Sequence, residues 1–346
     1  MAFTDSLGYS MAETPPRSQG RIAAGYPLRK ATKMVDLSGL TTEGRNPHTI
    51  NLDVMTPLEV AEAMNQEDAQ VAAAVGQVVP EVAQAITWGR ASLKARGRIV
   101  YFGAGTSGRL GLLDAVECRP TFGVTDNVVI GLIAGGQQAF VKAVEGAEDD
   151  PALGAADLAS IDLGPADLAI GIAASGRTPY VLGGLDYARS QGCKTVAIAG
   201  RRGSAVGRAA DLAIEPACGP EVLCGSTRLK AGTAQKMILN MISTGSLVGL
   251  GKAFSNLMVD VQPTNDKLRA RSVRIVAEAT GLDAEKAQRL LAEAHYYPKV
   301  AIVMTLAQVD AQAAQGYLDQ ASGQVREALR LAGRPVGSDT VACGGH

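Results

Sequence analysis

Two stretches of the chain share a Ser-Gly-Arg core, at 107–109 and 175–177, and both cores sit among small and hydroxyl residues. The first reads GAGTSGR (103–109) and the second AASGRTP (173–179). Glycines let backbone N–H groups close on an anion, and a helix starting behind such a loop adds its positive end. Thr106, Ser107, Ser175 and Thr178 add hydroxyl donors. Hydroxyl-rich loops of this kind suit a terminal phosphate on a small polar molecule. A dinucleotide loop needs an acid at the end of the second strand to hold a ribose, and NVVIGLIAG (127–135) ends without one. A P-loop needs Gly-Lys-Ser/Thr, which does not follow. One such loop reads equally well as an ordinary Gly-Ser turn; two at equivalent positions favour phosphate.

Acids follow both the first loop and the second apolar run. Glu117 ends LLDAVEC just before Arg119 and Pro120, and Pro120 is expected to end the helix there, setting Glu117 in a turn. Glu148 lies in AVEGAEDDP, crowded by Glu145, Asp149 and Asp150. Most such carboxylates are solvated surface groups, but two in a closed pocket can work as an acid/base pair. In CGSTRLKAGTAQK (224–236), Ser226 or Thr227 is placed to cap a long helix. Arg228 and Lys230 are either surface charges or partners for an anionic ligand. LTTEGRNP (40–47), with Glu43 and Asn46, is either a linking turn or part of a site.

These loops need a frame. RIVYFG, NVVIGLIAG, DLAIGIAAS, KTVAIAG and DLAIEP are five short apolar runs bounded by turn residues, with helix-compatible segments between them. That alternation predicts an α/β fold, a doubly wound five-stranded parallel sheet with helices on both faces. Ligands bind such sheets beyond the carboxyl ends of the strands, where both Ser-Gly-Arg loops fall. Thr56-Pro57 starts a helical region that runs to about Arg96, with a break expected near Pro80. After Asn265 the chain reads as helical, with Gly281 as a stop and Asp283 as a cap. The expected divisions are an extension at 1–39, an irregular and helical segment at 40–96, the sheet domain at 97–255, a helical subdomain at 256–335 and a tail at 336–346. Either Met1 or Met11 fits as the start.

The chain has 346 residues, 47% of them hydrophobic, enough for a large core. Its 33 basic and 34 acidic residues nearly cancel, which argues against nucleic acid or a membrane surface held by bulk charge. No apolar run approaches a membrane span, and the start lacks a signal-peptide core. The five cysteines and three histidines show no metal-ligand spacing, so no metal is expected, and the thiols read as reduced and cytoplasmic.

GAGTSGRLG, ECRPTFG, AVEGAEDD, IAASGRTPYV, GSTRLKAGTAQKMILNMIST, NLMVDVQPTN and LTTEGRNP closely resemble the N-acetylmuramic acid 6-phosphate etherase family, from about Leu40 to about Gly333. The core resembles the sugar isomerase (SIS) domain. The resemblance implies cleavage of the D-lactyl ether at C3 of the sugar by elimination and hydration, without a cofactor. It implies that Glu117 protonates departing lactate and that Glu148 is the second active-site glutamate, read as the base at C2. It implies that Thr106, Ser107, Ser175 and Thr178 hold the phosphate, with Ser226 and Lys230 as further ligands. It implies a homodimer, in which LTTEGRNP is a candidate to reach a neighbouring site. Arg119 departs from the family pattern, which has proline there, and is a candidate partner for Glu117 or for the lactate carboxylate. A phosphosugar isomerase and a non-enzymatic sugar-phosphate sensor are the alternatives on the same fold.

Overall fold

The computed structural model describes residues 44–142, 144–261 and 265–334. The expected extension at 1–39, both candidate starts, Glu43 and the tail at 336–346 lie outside them. Two short 3-10 turns, Pro47–Thr49 and Leu52–Val54, lead into helix α1 (Pro57–Gly76). Thr56 caps α1: its hydroxyl accepts from the Glu59 N–H while the Glu59 carboxylate accepts from the Thr56 N–H at 2.7 Å. The break before α2 (Val79–Lys94) falls at Gln77-Val78, near Pro80 as expected. Pro80 sits in the first turn of α2, where a missing N–H costs no helical hydrogen bond.

Strands and helices then alternate as β1 (Ile99–Gly103), α3 (Gly105–Phe122), β2 (Val129–Ile133), α4 (Gln138–Val141), α5 (Pro151–Ala159), β3 (Leu168–Ala173), α6 (Pro179–Ser190), β4 (Lys194–Ala199), α7 (Ala205–Ala209), β5 (Leu212–Ile214) and α8 (Lys230–Leu247). The five strands pair in parallel in the order β2-β1-β3-β4-β5. β1 and β3 are buried at every residue, as continuously apolar central strands must be. Alternate residues serve opposite faces. Tyr101, Ile170, Ile172 and Ile198 pack with Ile238, Leu239 and Ile242 of α8. Phe102, Ala169 and Ala197 pack with Leu158, Tyr180, Leu185 and Val206 of α5, α6 and α7. Each fully buried Leu, Ile, Val or Phe among these stabilises the fold by roughly 1.5–3 kcal/mol.

α3 runs further than its sequence suggests. Pro120 lies inside it, and the helix ends at Gly123, whose φ of 61° closes it with an N–H donating to the Arg119 carbonyl at 2.9 Å. A proline in the last turn removes a single helical bond, whereas a left-handed residue stops the helix outright. Beyond α8 a π turn (Val248–Lys252) leads to α9 (Asp266–Thr280), α10 (Ala284–Glu293), α11 (Pro298–Ala307), α12 (Ala311–Gln320) and α13 (Val325–Leu331). Gly281 ends α9 at φ 73°, and Asp283 caps α10 by accepting the Lys286 N–H at 2.8 Å, both as their sequence positions predict. Val276, Leu291, Ile302, Val303, Leu318 and Leu329 close a second core among these helices.

Candidate active site

The winding of the sheet reverses between β1 and its neighbour β3, so the loops leaving these two strands border one crevice. The first loop turns straight into α3. Gly108 passes so close to β1 that a Cβ there would lie 2.5 Å from the Gly103 carbonyl oxygen. Thr106 is half-buried and its methyl faces Gly232 of α8. Ser107 is only 6% exposed and donates its hydroxyl to Oε1 of Gln235 at 3.0 Å, so one expected phosphate donor is spent inwards. In the second loop Ser175 and Thr178 are half-buried. Thr178 occupies the cap position of α6, yet its side chain makes no capping bond.

Glu148 lies on a 3-10 turn (Ala147–Asp149), exposed. It shares a cleft of ≈ 260 Å³ with Ala104, Gly105 and Arg109, so the structure brings this acid to the first loop. The Arg109 guanidinium fixes the cleft wall by donating to the carbonyls of Ala139 at 2.7 Å and Phe140 at 2.8 Å. Glu117 is placed differently. It is helical rather than in a turn, exposed on α3, and follows Gly105 by three turns, about 18 Å at the α-helical rise. Leu113 and Val116, 47% and 62% exposed, flank it. Within one chain, Glu117 and the first Ser-Gly-Arg loop thus stand at opposite ends of α3. Arg119 pairs with Asp126 at 3.2 Å across the surface. A larger cleft of ≈ 870 Å³, lined by Lys252, Asp260, His295, Tyr296, Tyr297 and Lys299 among others, holds none of the expected residues.

Lys230 is held inside the fold rather than at its surface. It is 1% exposed, and its ammonium is hydrogen-bonded to Oε2 of Glu67 on α1. Glu67 Oε1 meets His48 Nδ1 at 2.7 Å. Burial pushes the Glu67 acid up, but hydrogen bonds from His48, Lys230 and Asn46 outweigh it and hold the carboxyl down at about 2. Asn46 donates to the Pro220 carbonyl at 3.3 Å and Thr49 to the Val222 carbonyl at 2.8 Å, so Asn46, 4% exposed, is bound within its own chain. Neither Ser226 nor Thr227 caps α8. The buried Glu221 carboxylate does so, accepting the N–H groups of Lys230 at 2.9 Å and Ala231 at 3.0 Å. Ser226 is half-buried on the loop between Glu221 and this helix start. Glu67, Glu221 and Gln235 escape a sequence reading because their partners are distant or their spacing matches no local cap.

A second polar seam joins α3 to α8. Asp114 accepts from Asn240 at 2.6 Å and Ser243 at 3.1 Å, and burial raises its carboxyl above the usual range.

The chain matches three domain models. These are the glucokinase regulatory protein N-terminal SIS domain at residues 77–189, the SIS domain at 153–244, and the C-terminal lid domain of glucokinase regulatory protein at 255–315. It is 55% identical over 295 residues to the N-acetylmuramic acid 6-phosphate etherase of Pectobacterium atrosepticum, covering 85% of this chain and 97% of that one. The enzyme of the same name from Serratia proteamaculans is also 55% identical over 295 residues, covering 85% and 99%. That of an Exiguobacterium species is 54% identical over 293 residues, covering 85% and 100%.

Proposed function

The chain belongs to the N-acetylmuramic acid 6-phosphate etherase family, and we propose that its reaction runs in the crevice where β1 and β3 part. It cleaves the D-lactyl ether of N-acetylmuramic acid 6-phosphate by elimination and hydration, giving N-acetylglucosamine 6-phosphate and D-lactate. Thr106, Ser107, Ser175 and Thr178 hold the phosphate, with the N-termini of α3 and α6 behind them. Glu148 takes the C2 proton of the open-chain aldehyde. The electron pair left at C2 forms a double bond to C3 as the lactyl oxygen leaves with a proton from Glu117. Water then adds its hydroxyl at C3 and a proton returns to C2. Lys230 acts at one remove: its ion pair with Glu67 fixes the start of α8 and so the loop that carries Ser226. An isomerase or a sensor on this fold is not favoured, since the relatives share the etherase name over almost their whole length.

The working unit is a homodimer. The exposed Leu113 and Val116 beside Glu117 make an apolar strip for a second copy to cover, and the three-turn gap along α3 is bridged when the partner's acid meets this chain's loops. The reaction belongs to cytoplasmic breakdown of peptidoglycan-derived amino sugars. No helix among the described residues is long and apolar enough to cross a membrane.

The observation that carries this reading is the pairing of two hydroxyl-rich loops at adjacent strand ends with Glu148 against the first. Incubation with N-acetylmuramic acid 6-phosphate and an assay for D-lactate tests it. Lactate release is expected; tight phosphosugar binding without lactate overturns it.

A further inference from the structure

We propose that Gln235 sets the direction in which the Ser107 hydroxyl points, and that an incoming phosphosugar turns the Gln235 amide over. The inference rests on the reading of Ser107 as a phosphate ligand. Ser107 lies in the first turn of α3 and Gln235 in the second turn of α8. Both are buried, at 6% and 2% exposure, and the hydroxyl donates to Oε1 at 3.0 Å. The other end of the amide, Nε2, is buried without a hydrogen-bond partner among the described residues. A buried amide nitrogen left in that state is uncommon and costly.

A serine hydroxyl has one proton. Spent on Oε1, it leaves only lone pairs towards the crevice, and a phosphate oxygen brings only lone pairs to meet them. As it stands, the pair opposes the group that the loop is expected to hold. A half-turn of the amide removes the conflict: Nε2 then donates to Ser107 Oγ, and the Ser107 proton is released to a phosphate oxygen. The turn puts an unpartnered Oε1 where an unpartnered Nε2 had been. The protein's own preference between the two states is therefore small, and the added bond to phosphate decides it. Gln235 reaches the ligand only through Ser107, as a positioning residue.

The test compares Q235E, Q235M, S107A and S107A/Q235E. Lactate release is measured, with inorganic phosphate as a competing probe. A carboxylate at 235 only accepts and keeps the Ser107 proton turned inwards. Q235E is expected to raise KM and the phosphate inhibition constant roughly ten- to hundred-fold with little change in kcat, and to add nothing once Ser107 is alanine. Q235M frees the hydroxyl without aiming it, and its expected cost is smaller, about threefold on both constants. That second variant decides the matter if the buried glutamate does not fold. The proposal is overturned if Q235M is as damaging as Q235E, or if the Q235E cost persists in the S107A background, since either makes Gln235 a packing residue. If S107A alone leaves KM and phosphate inhibition unchanged, Ser107 is no phosphate ligand and the wider reading of the loop fails first.

Discussion

Lys230 and Glu67 stand 163 residues apart in sequence and form an ion pair in the interior, with side-chain exposures of 1% and 6%. The pair joins α1 to the start of α8, and Glu221 holds the backbone of the same turn. Breaking such a pair from one side strands the other charge. Lys230→Met is expected to destabilise the chain by about 3–5 kcal/mol, read as a lower urea midpoint. A midpoint equal to the parent's would mean that the pair contributes nothing.

The Glu67 carboxyl titrates at about 2 in the fold against an ordinary value of 4.5. Because the folded value is the lower one, the stabilisation is fully present above about 4.5 and is lost as pH falls towards 2. Its size is roughly 3 kcal/mol. Unfolding followed between pH 6 and pH 2 should show this loss in the parent and a flatter curve in Glu67→Gln. Parallel curves would remove Glu67 as its source.

The catalytic assignments separate by isotope. Glu117→Gln is expected to slow lactate release by ~10²–10⁴-fold. Glu148→Gln is expected to slow exchange of the C2 hydrogen with deuterated water by a similar factor. Normal exchange in that variant would reassign the base.

If the two acids of one site come from different chains, two dead dimers can repair each other. Glu117→Gln and Glu148→Gln proteins, dissociated and reassociated together, are expected to regain lactate release through mixed dimers that hold one intact pair. A mixture as inactive as its components would put both acids in one chain.

Gly108 leaves no room for a side chain, with 2.5 Å between a would-be Cβ and the Gly103 carbonyl oxygen and 2.8 Å to Ile133. Gly108→Ala should cost about 1–3 kcal/mol of stability and displace Thr106 and Ser107. A crystal structure of that variant with an unmoved loop would contradict this.

The sheet was legible because central parallel strands write themselves as unbroken apolar runs, and β1 and β3 are of that kind. Thr56, Gly281 and Asp283 were legible because caps act within a few residues. The end of α3 was not: Pro120 looked decisive, but the left-handed Gly123 sets the stop. Nor was the fate of Lys230, since a lysine seeking a phosphate and one buried on a distant carboxylate have the same local sequence. Gln235 was hidden for a related reason, its partner lying 128 residues earlier.

The residues at 46–49 look expendable beside the sheet, yet Asn46 and Thr49 tie down the Pro220 and Val222 carbonyls while His48 lies against Glu67. A chain trimmed to begin at Thr56 would keep every strand and every catalytic candidate. It would nevertheless uncover the carboxylate on which α8 is moored, so the workable minimum of this protein starts well upstream of its sheet.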